Sequence, residues 1–181
     1  MNYFAGVDPS ITNTGIVVLD QNMEVEWISE SSQIVSNKVV RSTQSLRLQA
    51  LKEYLENTLK RYEGLSVAYE HYSFQSTNKA FSLGELGGVY KLALFEMTGE
   101  DPVLVPPGIL KKFATGHGSA SKEGIIRAAI NEGLGHYDDD ICDAFFLAKF
   151  CYYRICPEEA IKLDSNKKLV RNRLNLTQKE I

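Results

Sequence analysis

Acidic side chains stand at two places where a β-prone run of the sequence ends. Asp8 follows the apolar run at residues 3–7, and Glu70 follows the run at residues 65–69. An acid at a strand end is held at the rim of a rigid sheet, where its carboxylate can meet a substrate. Each acid alone also has an ordinary structural explanation, because an Asx-turn before Pro9 accounts for Asp8 and a solvated strand exit accounts for Glu70.

A third acidic group opens a helical pattern near residue 140. The segment reads Asp138-Asp139-Asp140-Ile141-Cys142-Asp143. Carboxylates three or four positions apart share one face of a helix, and the positive end of the helix dipole favours anions there. Helix capping alone explains much of this pattern. The spacing also leaves both Asp139 and Asp140 open as the partner of Asp143.

The three acidic groups together indicate a metal site. Sequential pairing places the first and fourth strands side by side, so their terminal acids meet, and carboxylates that converge repel one another unless cations lie between them. The three histidines and three cysteines show none of the spacings that zinc sites use. Hard oxygen ligands favour Mg²⁺ or Mn²⁺, and two such ions ~4 Å apart can activate a water and stabilise the leaving oxygen of a phosphodiester.

Basic residues surround a glycine- and serine-rich loop in the second half of the chain. They are Lys111, Lys112, Lys122 and Arg127, and the loop between them includes Ser119. Lysine and arginine side chains bind phosphates, and the loop amides can cup one. The alternative is a solvated helix face with no ligand. Beside the carboxylates, the basic cluster favours a nucleic-acid backbone as substrate.

Five segments of the chain, in this order, resemble the RuvC-type Holliday junction resolvases of the ribonuclease H-like superfamily. They are GVDPSITNTG at residues 6–15, AYE at 68–70, LGELGGV at 83–89, LKKFATGHGSASK at 110–122 and DICDA at 140–144. Each segment alone is a weak signal, but five in the correct order are specific. The likeness covers most of residues 3–150.

The resemblance implies roles for particular residues. The metal ligands would be Asp8, Glu70, Asp140 and Asp143. They would hold two Mg²⁺ ions per site, and Mn²⁺ would substitute for Mg²⁺. The family spacing thus favours Asp140 over Asp139. Lys111 and Lys122 would meet DNA phosphates near the scissile bond, with Lys122 offsetting charge in the reaction, and Phe74 would take the place of the aromatic residue near the branch point.

The resemblance also implies a homodimer that makes two symmetric nicks across a four-way junction. The dimer would form through the helix that contains residues 84–88. Gly84 and Gly88 share one face of this helix although each costs about 1 kcal/mol relative to alanine. Such a face permits close approach by another helix, within the monomer or across a dimer. A locally frayed helix is the alternative.

The elements that position these residues follow from hydrophobic periodicity. Short β-prone runs lie at residues 3–7, 15–19, 25–28, 65–69 and 103–105. Helical patterns lie at 42–62, from the end of a polar loop at 79 up to 98, and at 107–114, 121–134 and 140–155. The order βββαβαβ followed by helices predicts an α/β fold, and the resemblance implies that this fold is ribonuclease H-like. Its five-stranded mixed sheet has three antiparallel and two parallel strands flanked by helices. We expect a nuclease domain at 1–156 and a C-terminal basic extension at 157–181, either a peripheral helix or partly disordered.

Composition limits the remaining possibilities. A chain of 181 residues with 44% hydrophobic and 24% charged residues suits one globular domain. The formal charge of −3 does not favour DNA, but two bound divalent ions would bring it to −3 + 4 = +1. No apolar run approaches the ~20 residues that span a bilayer, and no signal peptide is evident. We therefore expect no membrane partner and a cytoplasmic location in a bacterial or infected host cell.

The sequence thus predicts a Holliday junction resolvase, a metal-dependent endodeoxyribonuclease selective for four-way DNA junctions. The alternatives from the same superfamily are a broader branched-DNA or flap nuclease and a ribonuclease H. A non-catalytic junction-binding protein is a further alternative. A sugar-kinase or actin-like ATPase is excluded by length, because such proteins need two domains of this kind.

Overall fold

The computed structural model describes residues 1–71, 80–163 and 167–178. Phe74, the predicted aromatic at the branch point, lies outside the described residues. Five strands form one sheet in the order β3-β2-β1-β4-β5. The strands are β1 Tyr3–Asp8, β2 Gly15–Leu19, β3 Val25–Glu30, β4 Leu65–Glu70 and β5 Val103–Val105.

The sheet pairing brings the ends of several strands to one edge. β1 pairs antiparallel with β2 and parallel with β4, while β3 is antiparallel to β2 and β5 is parallel to β4. The register sets Asp8 opposite Gly15, and Gly15 opposite Glu30. The edge that carries Asp8, Gly15, Glu30 and Glu70 is called the acidic edge below. The predicted mixed sheet, with three antiparallel and two parallel strands, is confirmed.

Helices cover both faces of this sheet. They are α1 Ser32–Val35, a 3₁₀ turn Val40–Ser42, α2 Gln44–Leu59, α3 Ala80–Thr98, α4 Pro107–Thr115, α5 Lys122–Asn131, α6 Asp139–Ile155, α7 Pro157–Leu163 and α8 Lys167–Thr177. Side-chain oxygens cap helices at their N-termini: Thr43 caps α2, Ser121 caps α5 and Asp138 caps α6. Such caps satisfy amide groups that the first helical turn leaves without partners.

The sheet separates two hydrophobic cores. Alternate residues of β1 point to opposite faces, so Phe4 packs in the core with α4, α5 and α6, whereas Ala5 and Val7 pack in the core with α2 and α3. Helix α6 lies across β1, β2 and β4. It is the buried helix of the fold, and its first turn lies at the acidic edge.

Two glycines allow α6 to approach the strands. A Cβ atom at Gly6 would overlap the backbone of Ala144 and Ala148, and one at Gly15 would lie 2.5 Å from the carbonyl oxygen of Asp140. No other residue type fits at either position without moving the helix. The close contact therefore places the start of α6, with its acids, against the ends of β1 and β2.

The described residues of the C-terminal extension are helical and pack against the core around α6. Its described part forms α7 and α8, and Ala160, Val170 and Leu176 belong to the core built around α6. Arg173 is 1% exposed and donates to both carboxylate oxygens of Glu132. The sequence pattern is weak here because the buried side chains of α8 include the charged Arg173 and the polar Thr177. The domain boundary at residue 156 stays a prediction.

Within the described ranges, no helix combines the length and the apolar character needed to cross a membrane.

Candidate active site

Two carboxylates from neighbouring parallel strands meet at the acidic edge. Asp8 is buried at the end of β1, and its side chain is hydrogen-bonded to that of Glu70 at the end of β4. Burial raises the pKa of Asp8 well above its usual value, and the nearby charges of Glu70, Asp143 and Asp140 raise it further. Burial also raises the pKa of Glu70. The pair therefore favours one shared proton over two free negative charges.

Helix α6 adds two more carboxylates to this cluster. Burial, and next the charge of Glu70, raise the pKa of Asp143 to about 7. Its Oδ1 atom is buried and has no hydrogen-bond partner. Burial raises the pKa of Asp140 as well. Burial and the charges of neighbouring acids thus disfavour the ionised form of each of Asp8, Glu70, Asp140 and Asp143.

Asn13 in the loop after β1 connects the acids that surround this cluster. Its Nδ2 group donates to Asp140 Oδ2 at 2.8 Å and to Glu30 Oε2 at 3.1 Å, and lies 3.4 Å from Asp138 Oδ2. Its Oδ1 atom accepts from the Ser32 amide at 3.1 Å. One amide side chain thus ties β3, α1 and α6 together and fixes the orientation of the Asp140 carboxylate.

The neighbouring Thr14 anchors the loop that carries Asn13. The Thr14 amide donates to Ser31 Oγ at 2.8 Å, and the Thr14 hydroxyl donates to the Ser10 carbonyl at 2.8 Å. The same hydroxyl accepts from Tyr90 Oη at 3.0 Å. Thr14 is fully buried, so these bonds are shielded from water and the loop has a defined conformation.

Two of the predicted cations lie beside the carboxylates. Lys122, the first residue of α5, forms an ion pair with Asp139, and this hydrogen bond raises the pKa of the lysine. The positive charge of Lys111 in α4 opposes the effect of burial on the pKa values of Glu70 and Asp143. Both lysines are therefore close enough to the cluster to contact an anion held there.

The other predicted binding residues lie further away. Arg127 on α5 and Ser119 in the loop before it are exposed. Lys112 faces the C-terminal extension, where it lines an open groove of about 270 Å³ with Asn172 and Asn175 of α8. Their part in DNA binding stays a prediction, and so does that of Phe74.

The donor set at the acidic edge suits a hard divalent cation, but the side chains are not arranged as a coordination shell. Across residues 1–71, 80–163 and 167–178, no group of three or more acidic, histidine or cysteine side chains could hold a metal ion as it stands. The acids are engaged elsewhere: Asp8 with Glu70, Asp140 with Asn13. The unsatisfied Oδ1 of Asp143 is the exception.

The sequence-based prediction gives no role to Asn13 or Glu30, although both residues shape this site. Asn13 lies inside the quoted first motif, and Asp138, Asp139 and Glu30 contact the cluster from its border. An asparagine between two strands usually indicates a turn, so the residue type alone does not predict that Asn13 connects acidic side chains. The useful signal is positional: the residue lies in the loop between Asp8 and the strand that pairs with β1.

Comparison with solved structures identifies the fold. Thermus thermophilus RuvC matches with a TM-score of 0.65 and 23% identity, over 83% of this chain and 94% of that chain. T. thermophilus RuvC in complex with a Holliday junction substrate matches with a TM-score of 0.64 and 22% identity, over 82% of this chain and 91% of that chain. The protein thus has the α/β, ribonuclease H-like fold of these structures.

A family model gives the narrower assignment. The model described as crossover junction endodeoxyribonuclease RuvC matches residues 4–148, which include the acidic edge and all the strands except the first residue of β1. No curated protein matches the chain. The chain belongs to the RuvC family.

Proposed function

We propose that this protein is a Holliday junction resolvase, a metal-dependent endonuclease that nicks four-way DNA junctions. The observation that carries the proposal is the cluster of four carboxylates at the acidic edge, where the charges of Glu70, Asp143 and Asp140 add to burial in raising the pKa of Asp8. Such repulsion costs stability unless a cation offsets it, so the cluster is a functional feature rather than a structural one. Membership of the RuvC family supports the same activity.

The residues proposed to hold Mg²⁺, two ions per site, are Asp8, Glu70, Asp140 and Asp143. Asp143 offers an oxygen without a partner, and Asp140 interacts with Asp8 whereas Asp139 is paired with Lys122. This difference favours Asp140 over Asp139 as a ligand. When bound, the ions would supply activation of a water molecule and stabilisation of the leaving 3′ oxygen, and Mn²⁺ would substitute for Mg²⁺.

The chain's own cations would hold the scissile phosphate in place. Lys111 and Lys122 flank the cluster from α4 and α5, where each can pair with a phosphate oxygen. Lys122 would exchange its ion pair with Asp139 for one with the DNA and would offset negative charge that develops during cleavage. Lys112, Arg127 and Ser119 extend the proposed phosphate contacts along the backbone.

A homodimer through α3 is part of this proposal, because a four-way junction needs two nicks related by symmetry. A Cβ atom added at Gly84 or Gly88 would meet nothing within 4 Å, so no part of the described monomer packs against this face. Phe81, Leu92 and Phe95 on the same helix are exposed large apolar residues. A second copy of the chain would cover this patch in an isologous interface, with the glycines at the point of closest approach.

Cleavage of synthetic four-way junctions tests the proposal. The wild-type protein is expected to nick the junction symmetrically in Mg²⁺, whereas Asp8→Asn is expected to abolish nicking and still bind the junction in EDTA. Exposed Asp101 at the opposite edge of the sheet provides a matched control, Asp101→Asn, which should cleave at the wild-type rate.

The same assay includes flaps, linear duplex and RNA–DNA hybrids. Faster cleavage of flaps or hybrids than of junctions would replace the junction resolvase with a broader branched-DNA nuclease or a ribonuclease H. Junction binding without cleavage by the wild type in either Mg²⁺ or Mn²⁺ would leave a binding protein only. Unchanged cleavage by Asp8→Asn would contradict the assignment of the acidic edge.

A further inference from the structure

An open pocket with two arginines lies beside the acidic edge. Arg41, in the 3₁₀ turn, and Arg47, in the first half of α2, line a pocket of about 280 Å³. Thr12, Ser32 and Ser36 add side-chain hydroxyls to its wall. We call the pocket formed by these five residues the arginine pocket. The apolar residues Ile11 and Val35 complete its lining.

The arginine pocket and the lysines of the proposed active site lie on opposite faces of the sheet. Val35, which lines the pocket, belongs to the core shared by α2 and α3, whereas α4 and α5 pack in the core on the other face. Thr12 lies in the loop that follows Asp8, and Ser32 follows the end of β3. Cations therefore flank the carboxylates on both faces.

Two features place the pocket next to the carboxylates. Thr12 lies four residues after Asp8 in the loop that leaves β1, and the Ser32 hydroxyl donates to Glu30 Oε1 at 2.7 Å. A DNA strand with its scissile phosphate at Asp8 would therefore bring a neighbouring phosphate to the pocket.

The two guanidinium groups are available to bind an anion. Within the described part of the chain, neither Arg41 nor Arg47 forms an ion pair or a side-chain hydrogen bond, and no carboxylate lines the pocket. Glu30 is nearby but accepts a hydrogen bond from the Ser32 hydroxyl. In contrast, the buried Arg173 is fully paired with Glu132.

Guanidinium chemistry identifies the class of ligand. Arginine presents a rigid fork of N–H donors that matches the oxygens of a phosphate, and two such groups over one pocket favour a group with several acceptor oxygens. Arg47 is partly buried, so its charge is only partly solvated and gains more from an anion than a fully exposed one.

We propose that the arginine pocket binds a backbone phosphate of the DNA strand next to the cleavage position. This inference rests on the proposed function, because it takes the acidic edge as the place of cleavage. The pocket would hold the strand on the α2 face while Lys111 and Lys122 hold it on the α6 face. The DNA would thus be clamped across the sheet edge and not attached at one side of it.

The salt dependence of DNA binding tests the pocket. Binding of a labelled four-way junction is measured in EDTA over a series of KCl concentrations, for the wild type and for the double variant Arg41→Gln/Arg47→Gln. Each phosphate contact contributes about 0.9 to the slope of log K against log salt, so the double variant is expected to lose about one unit of slope. The single variant Arg47→Lys, with Arg41 unchanged, keeps both positive charges and should retain most of the wild-type slope.

A charge-matched control separates this local effect from net charge. Lys60→Gln/Lys162→Gln removes two exposed positive charges at the opposite end of the molecule, beside the start of β4 and in α7. Its slope is expected to equal that of the wild type. Equal slopes for the arginine variant and the wild type would overturn the proposal, as would equal losses in the two double variants.

A chemical footprint provides the second measurement and separates the sources of phosphate. Phenylglyoxal modification of Arg41 and Arg47 is followed by mass spectrometry in the presence of junction, linear duplex or inorganic phosphate. Protection by DNA supports the proposal even if the protein never cleaves, an outcome that would reject only the proposed function. Protection by inorganic phosphate and not by DNA would assign a free phosphate site and overturn it, and so would protection by neither.

Discussion

At the scale of single residues, the acidic edge is an arrangement that the metal-free protein maintains at a cost. Asp8 is buried among three other carboxylates, and burial and like charges both disfavour its ionised form. The fold tolerates this because the protein can keep a proton in the Asp8–Glu70 pair. A bound divalent cation would remove the same repulsion and at the same time leave the carboxylates ionised.

The first prediction concerns the stability of the metal-free protein as a function of pH. The pKa of Asp143 in the folded protein is about 7, above its ordinary value of 3.8. A raised carboxyl pKa stabilises the fold below the unfolded value, and this contribution is lost as pH rises through the folded value. In EDTA, unfolding free energy should therefore fall between pH 4 and pH 8. Asp143→Asn should weaken this decline and be more stable than the wild type at pH 8.

Urea unfolding at pH 4 and pH 8 measures this difference. Addition of Mg²⁺ at pH 8 is expected to stabilise the wild type more than the Asn variant. A control substitution at the exposed Asp101, Asp101→Asn, should follow the wild type at both pH values. If Asp143→Asn is the less stable protein at pH 8 in EDTA, the carboxyl group is not destabilised by its surroundings.

The second prediction concerns Asn13 as a positioning residue. Asn13→Ala removes the hydrogen bond that orients Asp140 and leaves Glu30 and Asp138 without their shared donor. Loss of a residue that orients a ligand typically costs 10–100-fold in metal affinity or activity. We expect junction cleavage to fall by about that factor and to recover partly at higher Mg²⁺.

The readouts distinguish positioning from general damage. Junction binding in EDTA should be unchanged for Asn13→Ala, and the Mg²⁺ concentration for half-maximal cleavage should rise. Asn57→Ala, on the exposed side of α2 and distant from the acidic edge, serves as the control with wild-type behaviour. An Asn13→Ala protein with the wild-type Mg²⁺ response would show that Asp140 needs no such support.

At the scale of the elements, the sequence predicts the sheet well and the packing of α6 poorly. All five strands are found within one or two residues of the predicted runs, because alternation, turn residues and strand-ending acids agree with one another. The depth of α6 depends on Gly6 and Gly15, and a glycine inside a strand pattern does not say which element approaches it. Such tertiary contacts decide where the acids of α6 lie.

The third prediction concerns the exposed glycines of α3. Gly88→Ala meets no atom within 4 Å in the described monomer, so it should stabilise the monomer by about 0.5–1 kcal/mol through higher helix propensity. In the proposed dimer the same methyl group would separate the two helices. We therefore expect Gly88→Ala to weaken dimerisation while raising the stability of the monomer.

Sedimentation at several protein concentrations measures the dimer, and urea unfolding at low concentration measures the monomer. Gly124→Ala in α5 is a matched control, since its new Cβ makes only ordinary contacts of 3.7 Å within its own turn region and lies on the other face of the sheet. It should leave dimerisation unchanged. A Gly88→Ala protein that dimerises as well as the wild type would remove α3 from the interface.

At the scale of the whole molecule, the net charge is less informative about DNA binding than the positions of the charged residues. A net charge of −3 gives no indication of DNA binding. However, cations lie on both faces of the sheet at the acidic edge, and acidic residues lie between these two groups of cations. The sequence predicts the acids and the lysine loop, because these lie in short motifs. It does not predict the arginine pocket, since Arg41 and Arg47 join Thr12 only in the folded chain.

The C-terminal extension shows the same limitation and leads to the last prediction. Basic residues without apolar periodicity predict a peripheral helix or a partly disordered extension, and they give no indication that Arg173 is buried against Phe113 and paired with Glu132. Burial alone would raise the pKa of Glu132, but the hydrogen bond from Arg173 and the charge of Lys149 hold this pKa below its usual value. This carboxylate therefore stabilises the fold above its ordinary pKa of 4.5, and the contribution is lost as pH falls.

Arg173→Ala should destabilise the protein by about 3 kcal/mol, because removing one partner of a buried ion pair leaves the other charge poorly compensated. It also removes the hydrogen bond from Nε to the Phe113 carbonyl at 3.1 Å, which joins α8 to α4. Urea unfolding at pH 7 measures the loss, and Arg171→Ala, exposed two residues earlier on α8, should change stability by less than about 0.5 kcal/mol. Arg173→Met, which keeps most of the volume, separates packing from charge: a stability near that of the wild type would assign the role of Arg173 to packing. Equal stability of the Ala variant and the wild type would instead mean that α8 is not joined to the nuclease core in solution.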